Sequence, residues 1–127
     1  MRVLLDCHCF SRLWDFLWNI LEYNSDPELY RIAPNFQTIT IGKAGFYQIC
    51  IRLTNNDSGQ NRAVMLRINN AERSVAYNGF NTGLSGSVHL NDIMQLNTGD
   101  AITVYFQSNQ NLYNDGKHNV FWINKIA

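Results

Sequence analysis

Alternation of apolar and polar residues is the dominant pattern of this chain. Ile102, Val104 and Phe106 take every second position of one run, so one face of that run is apolar. Another apolar run, 87–96, precedes it, and the residues at 97–100 are of types that tolerate a positive φ. The whole stretch is therefore predicted to form a strand, a turn and a second strand, with the Ile102 face in the core.

The other apolar runs are short, and polar or glycine-bearing loops separate them. They predict further strands at 17–23, 36–41, 46–54, 62–68, 72–77 and 119–126. Gln48 and Arg52 give the strand at 46–54 a polar outer face. Closely spaced strands without crossover helices are typical of antiparallel sandwiches and barrels. The pattern therefore predicts an all-β domain.

One segment, 10–21, has apolar residues at helical spacing, with Ser11 as a candidate N-cap. Its aromatic content is also compatible with a strand over 17–23. We expect 1–16 to be a short helical or irregular N-terminal arm. Its apolar stripe is too short for a stable isolated helix, which suggests docking onto a larger assembly or bundling with further copies of the chain. The stripe consists of Phe10, Leu13, Trp14 and Leu17.

Length and charge narrow the class of protein. The 127 residues fit one domain with a core of its own. Ten basic and ten acidic residues balance, so no net field favours nucleic acid as a partner. No apolar stretch approaches the ~18 residues that span a bilayer, which argues against membrane insertion. Asp6 interrupts the apolar start of the chain, so a signal peptide is not expected.

Candidate metal and catalytic residues are scattered along the chain. Cys7, His8 and Cys9 are zinc-ligand types, but His89 and His118 lie far from them in sequence. No two histidines share a strand face, which argues against a cupin-type metal site. Neither a G-x-S-x-G elbow nor a recognisable pair of catalytic acids occurs. We therefore expect no cofactor, no metal and no enzymatic activity.

Acidic residues near the loops do not form a recognisable calcium site. Asp57, Asp92 and Asp115 lack the spacing of a calcium loop. Asp100 follows the glycine of the turn at 97–100, where such a side chain usually satisfies backbone groups of its own turn. We expect that structural role for Asp100.

Several segments occur in an order and spacing that can be compared with a known family. They are Gly45-Phe46-Tyr47, Leu66 to Asn70, Ser87-Val88, Leu96 to Ile102 and the aromatic last strand. Together they resemble the globular head of complement C1q and its tumour-necrosis-factor-like jelly-roll relatives. The resemblance implies an antiparallel jelly-roll sandwich over 17–127 and a homotrimer in which one sheet of each subunit faces its neighbours. The polar, Asn-rich loops look most like bacteriophage virion or fibre versions.

The residues indicate where such a trimer would make contact. The last strand has apolar residues on both faces, and an apolar outer face needs a cover. Met65 and Tyr105 point away from the apolar faces of their own strands. If these strands share a sheet with the last one, as the resemblance implies, Met65, Tyr105, Phe121 and Ile123 line a trimer interface. The alternative is that loops or the arm of the same chain cover them.

The function predicted first is a non-enzymatic, trimeric structural module of a virion. It would be a fibre tip, a decoration protein or a host-attachment protein, located in the virion and bound to other virion proteins. The first alternative is a carbohydrate-binding module or lectin that contacts a cell-surface saccharide through Tyr77, Phe80 and Tyr113, because aromatic rings stack on sugars. The second alternative is a secreted C1q-like ligand.

Overall fold

The chain folds into two antiparallel β-sheets in a computed structural model that describes residues 1–4, 13–15, 20–34, 37–55, 62–78, 86–107 and 119–127. Within these ranges there are eleven strands and no helix, and hence no helix that could cross a membrane. In chain order the strands are β1 (Arg2–Leu4), β2 (Leu13–Asp15), β3 (Ile20–Tyr23), β4 (Tyr30–Ile32), β5 (Ile39–Ile41), β6 (Gly45–Asn55), β7 (Arg62–Ile68), β8 (Ala71–Asn78), β9 (Gly86–Leu96), β10 (Ala101–Gln107) and β11 (Val120–Lys125).

The strands are divided between the sheets so that the chain crosses repeatedly from one to the other. Sheet 1 has the order β3-β1-β11-β6-β9. Sheet 2 has the order β4-β5-β10-β7-β8, and β2 also pairs with β10. The predicted all-β antiparallel sandwich is confirmed. The opening pair of runs, β9 and β10, is joined by the predicted turn, but its two strands belong to different sheets.

Two pieces of the predicted N-terminal arm are strands. β1 pairs with β11 on one side and with β3 on the other, and β2 pairs with Tyr105–Gln107 of β10. The helical or irregular structure expected for 1–16 is wrong for Arg2–Leu4 and Leu13–Asp15, because backbone pairing to neighbouring strands outweighs the marginal stability of a short helix. The strand expected over 17–23 is present as β3 at Ile20–Tyr23. Since β1 lies inside sheet 1, removing residues 1–16 would leave β11 without a neighbour on that side.

The core lies between the sheets and follows the alternation of the sequence. Ile102, Val104 and Phe106 are buried, as predicted. On β6 every second residue points inwards, and these residues lie directly beside the inward residues of β9 and β11 in the same sheet. The other buried apolar side chains larger than alanine are Met1, Tyr30, Ile39, Ile41, Tyr47, Ile49, Ile51, Leu53, Val64, Leu66, Ile68, Val88, Leu90, Met94, Leu96, Phe121 and Ile123.

Two turns are locked together at one end of the sandwich. Asn69 and Asn70, between β7 and β8, both have positive φ, the conformation that a two-residue hairpin of this twist needs. In the turn between β9 and β10, Gly99 has a φ of 88°. The Asp100 carboxylate accepts the Asn97 N–H at 2.8 Å and the Asn69 side-chain N–H at 2.8 Å. The structural role predicted for Asp100 is confirmed.

A pair of tyrosines closes the core near the turn of residues 42–44. The rings of Tyr30 and Tyr47 meet edge to face, with centroids 6.2 Å apart. The Tyr30 hydroxyl accepts the Lys125 N–H at 2.9 Å, and the Tyr47 hydroxyl donates to the Lys43 carbonyl. Burial raises the pKa of both phenols, that of Tyr47 to about 12. Both rings therefore remain neutral in the folded chain well above neutral pH.

Replacing Tyr47 with Phe is expected to make the free energy of unfolding less sensitive to alkaline pH. The folded pKa of Tyr47 is about 12, whereas its ordinary value is 10.0. A raised pKa means that this contribution to stability is complete below about pH 10 and is lost as the pH rises towards about 12. Urea unfolding between about pH 8 and pH 12 measures the slope.

At neutral pH the same substitution removes the hydrogen bond to Lys43 and should cost ~1 kcal/mol. Tyr77→Phe is the matched control, because Tyr77 is exposed, and it should change neither quantity. An alkaline slope that is identical in Tyr47→Phe and the unmodified chain would contradict the assignment.

Candidate functional site

The outward side of sheet 1, here called the sheet 1 face, is built by β11, β6 and β9 lying side by side. Antiparallel register puts directly opposite residues on the same side of a sheet. The rows across the three strands are Val120, Arg52 and His89; then Trp122, Cys50 and Asn91; then Asn124, Gln48 and Ile93. Phe46 lies opposite Gln95 in the next row, and Arg2 of β1 lies beside Trp122.

One end of this face carries exposed apolar side chains. Phe46 is 47 % exposed, Ile93 is 57 % exposed and Ile126 is 48 % exposed. Ile93 lies one row from Phe46 on the neighbouring strand, and the Ile126 N–H donates to the Phe46 carbonyl at 2.8 Å. We call these three residues the apolar corner. Half-buried Trp122 continues the apolar surface towards the middle of the face.

The rest of the sheet 1 face is polar apart from Val120. The Asn91 side-chain oxygen accepts hydrogen bonds from the Gln48 amide and the Cys50 thiol, each at 3.3 Å. Burial raises the pKa of the Cys50 thiol, so it is a poor nucleophile at neutral pH. At the end opposite the apolar corner, the Ser87 Oγ and the His89 Nε2 are 3.0 Å apart.

The outward side of sheet 2, the sheet 2 face, has a different character. Met65 lies between Tyr105 of β10 and Val75 of β8. The Arg67 guanidinium lies 4.1 Å from the centre of the Tyr105 ring, which is cation–π geometry. Tyr77 is 74 % exposed and is the fourth exposed large apolar residue of the described ranges. This face therefore combines aromatic rings with a fixed cation.

The four residues of the predicted trimer interface do not share a surface. Phe121 and Ile123 are fully buried in the core, so the prediction is wrong for them. Met65 and Tyr105 lie next to each other, but on the sheet 2 face. The error has two physical causes. β11 pairs with β6 and β1 instead of β10, and its outward residues are Val120 and Trp122.

The other predicted site residues are only partly described. Tyr77 is exposed on the sheet 2 face, whereas Phe80 and Tyr113 lie outside the described residues. Of the docking stripe, Leu13 and Trp14 belong to β2, and Phe10 and Leu17 lie outside the described residues. Among the described side chains, no three His, Cys, Asp or Glu residues come together as a metal site.

The apolar corner was missed at the sequence level, although the sequence contains a signal for it. Phe46 precedes the inward series that begins at Tyr47, and Ile93 falls between the inward residues Leu90 and Met94. Both are apolar residues on the polar phase of their strands. An apolar residue on the polar phase of its strand points away from the core, so it indicates a surface contact. A strand that is apolar on both phases is a weaker signal, because its sequence does not show which of its two faces enters the core.

This arrangement of strands is also found in solved structures of other proteins. No protein-family model and no curated protein matches the chain. Solved structures do match. Murine APRIL at pH 5.0 matches with a TM-score of 0.78 and 13 % identity, and the match covers 98 % of both chains. Murine APRIL at pH 8.0 matches with a TM-score of 0.75 and 12 % identity, over 98 % of this chain and 96 % of that chain. Eiger TNF from S. frugiperda matches with a TM-score of 0.67 and 13 % identity over 100 % of this chain and 92 % of that chain.

The fold is a TNF-type jelly roll. The structural match establishes the fold, which the resemblance predicted. At identities of 12–13 % the match shows the fold alone, and function has to be argued from the two faces. These three structures give no support to the bacteriophage version of the resemblance.

Truncating a buried residue of β11 is expected to destabilise the chain strongly. Phe121→Ala should lower the free energy of unfolding by ~3–5 kcal/mol, because it leaves a cavity between the sheets. Tyr77→Ala is the control at an exposed position and should cost less than ~0.5 kcal/mol. Urea titration measures both values. A Phe121→Ala variant as stable as the unmodified chain would show that this ring is not in the core.

Proposed function

We propose that this chain is a non-enzymatic binding module that acts as a homotrimer, held together through the sheet 1 face. The observation that carries the proposal is the apolar corner, where three of the four exposed large apolar side chains of the described residues lie together. Exposed apolar residues grouped in this way usually mark a contact surface. The occupants that we infer are further copies of the chain, because the C1q- and TNF-type resemblance implies a homotrimer.

The composition of the face supports self-association. A protein interface typically has an apolar centre and a polar rim that forms hydrogen bonds. Phe46, Ile93 and Trp122 supply apolar area, and Gln48 and Asn91 supply donors and acceptors beside it. The sheet 2 face would then point away from the centre of the trimer, where its aromatic rings remain available to a partner.

The chemistry of the described residues supports a binding role over an enzymatic one. The Ser87 and His89 pair is the arrangement closest to a nucleophile and its base. A catalytic histidine is normally held from its other side by a carboxylate or an amide. Here the residue directly across from His89 is Arg52, whose guanidinium has no acceptor for an imidazole N–H.

For the biological setting we favour the secreted, extracellular alternative. One of the similar solved structures is named as a TNF, and none of the three names a virion protein. The fibre, decoration and host-attachment roles, like docking through the stripe from Phe10 to Leu17, stay predictions from the sequence.

Light scattering coupled to size exclusion tests the trimer. The chain has a mass of 14.6 kDa, so the expected mass in solution is three times that value. Ile93→Lys should reduce it towards one chain, because a lysine at the apolar corner cannot be desolvated without a partner. Circular dichroism should be unchanged, since Ile93 is exposed in the folded subunit.

The matched control introduces the same charge on the other face. Tyr77→Lys replaces an exposed residue of the sheet 2 face and should leave the mass of the assembly unchanged. A mass of one chain for the unmodified protein would refute the trimer. Dissociation by Tyr77→Lys and not by Ile93→Lys would place the contact on the sheet 2 face and refute its assignment to the sheet 1 face.

The second candidate function is saccharide binding by the sheet 2 face. The observation that favours it is the exposure of Tyr77 on the same face as the stacked pair Arg67 and Tyr105. An exposed aromatic ring offers an apolar surface to a sugar ring, and the Arg67 guanidinium, two rows further along the face, has hydrogen-bond donors for the hydroxyls of a longer saccharide.

A glycan array tests this candidate with two substitutions at one position. Tyr77→Ala removes the ring and should abolish any signal, whereas Tyr77→Phe keeps the ring and should retain most of it. The candidate is rejected if the unmodified chain gives no signal, or if Tyr77→Ala binds as strongly as the unmodified chain.

A further inference from the structure

Two side-chain amides lie between the apolar corner and Trp122 on the sheet 1 face. Gln48 of β6 is directly opposite Ile93 of β9, and Asn91 is two residues before Ile93 on the same side of β9. Asn91 is exposed and Gln48 is half-buried, and Cys50 separates Asn91 from Trp122 in the neighbouring row. Because both amides adjoin Ile93, a second copy of the chain that buries Ile93 also covers them.

The orientation of the Asn91 amide is fixed by two donors within the chain. The Asn91 Oδ1 accepts from the Gln48 Nε2 and from the Cys50 Sγ, each at 3.3 Å. Burial raises the pKa of the Cys50 thiol, so the thiol keeps its hydrogen at neutral pH and donates it to the amide oxygen. The amide nitrogen of Asn91 is therefore the end that is left for a contact outside the chain.

Each of the two amides keeps one group without a partner in the described part of the chain. The Asn91 Nδ2 carries hydrogens to donate, and the Gln48 Oε1 has lone pairs with which to accept. Neither atom hydrogen-bonds to another described residue. One copy of the sheet 1 face thus offers a donor and an acceptor side by side, and each is the complement of the other.

We propose that the Asn91 Nδ2 of one copy donates to the Gln48 Oε1 of the next copy, and that this bond selects copies of the chain as occupants of the sheet 1 face. The inference rests on the proposed trimer, which supplies the neighbouring copies. Contacts in a closed ring run head to tail, so each subunit gives one such bond and receives one. The ring then closes without leaving either amide unpaired.

This bond acts through the cost of a mismatch more than through its own strength. A hydrogen bond that replaces one to water adds little net stability, whereas a buried donor or acceptor without a partner carries its full desolvation penalty. Contact at the apolar corner is tolerant of the partner's identity, because apolar burial has no direction. A protein that covers the corner without an acceptor for Asn91 is disfavoured, and so is a shifted register between copies. Asn91 and Gln48 are therefore specificity-determining residues of this face.

Sedimentation equilibrium of the full chain at neutral pH tests the proposal with Asn91→Asp. The carboxylate still accepts from Gln48 and Cys50 of its own chain, but it presents an acceptor to the Gln48 Oε1 of the next copy. We expect the association constant of the trimer to fall about tenfold for each contact, or roughly a thousandfold for all three. Circular dichroism should be unchanged, because both bonds within the subunit are kept.

Two further variants make the test specific to the hydrogen bond. Asn124→Asp puts the same charge on an exposed residue of the same face, two strands away from Ile93, and should weaken association far less. Adding Gln48→Lys to Asn91→Asp should restore the trimer, because the new ammonium group donates to the carboxylate of the neighbouring copy.

The outcomes separate this inference from the proposed function. A trimer that Ile93→Lys dissociates and Asn91→Asp leaves at full strength overturns the role of the amides and keeps the trimer. Equal losses in Asn91→Asp and Asn124→Asp also overturn that role, because the added charge alone then explains the loss. A double variant as weak as Asn91→Asp does so too, because the carboxylate then does not meet position 48 of the next copy. A single chain for the unmodified protein overturns the proposed trimer, and this inference with it.

Discussion

The pairing of β6 with β9 is the constraint on which the rest of this structure depends. All eleven residues of β6 are paired with β9 in one uninterrupted register, from Gly45 opposite Leu96 to Asn55 opposite Gly86. Because side chains alternate between the two sides of a strand, a slip of one residue would exchange the core residues for those of the sheet 1 face. The register therefore fixes both the packing of the sandwich and the composition of its candidate contact surface.

One end of this strand pair is held by interactions that come from elsewhere in the chain. Near Leu96, Asp100 and Asn69 connect the turn after β9 to the turn after β7, and the Asn69 side-chain oxygen also accepts the Ala101 N–H at 3.0 Å. On β9 itself, the Asp92 carboxylate accepts the N–H of Ile93 at 2.8 Å. A carboxylate that occupies a backbone donor on an edge strand hinders the addition of another strand there. Association through the sheet face, rather than edge to edge, is consistent with this arrangement.

The two outer faces have physically distinct surfaces, and this difference is the basis of the functional argument. The sheet 1 face combines the apolar corner with the polar and charged residues Arg52 and His89. On the sheet 2 face a guanidinium is stacked on Tyr105, and Tyr77 remains exposed. A jelly roll that associates through one sheet keeps the other available, which permits self-association and partner binding in the same small domain.

The sequence by itself determined the strands and their inward faces wherever one phase of the alternation was clearly apolar. This held for Ile102, Val104 and Phe106, and for the structural role of Asp100, because strand alternation and turn chemistry are local properties. Only the tertiary structure decided that β11 lies beside β6, that β9 and β10 separate into different sheets, and that Arg2–Leu4 is an internal strand. Those pairings join residues far apart in the chain, and on β11 both phases are apolar, so Phe121 and Trp122 were equally good candidates for the core. The choice between them was made by the register of β11 with β6, which turns Phe121 towards sheet 2 and leaves Trp122 on the outward side.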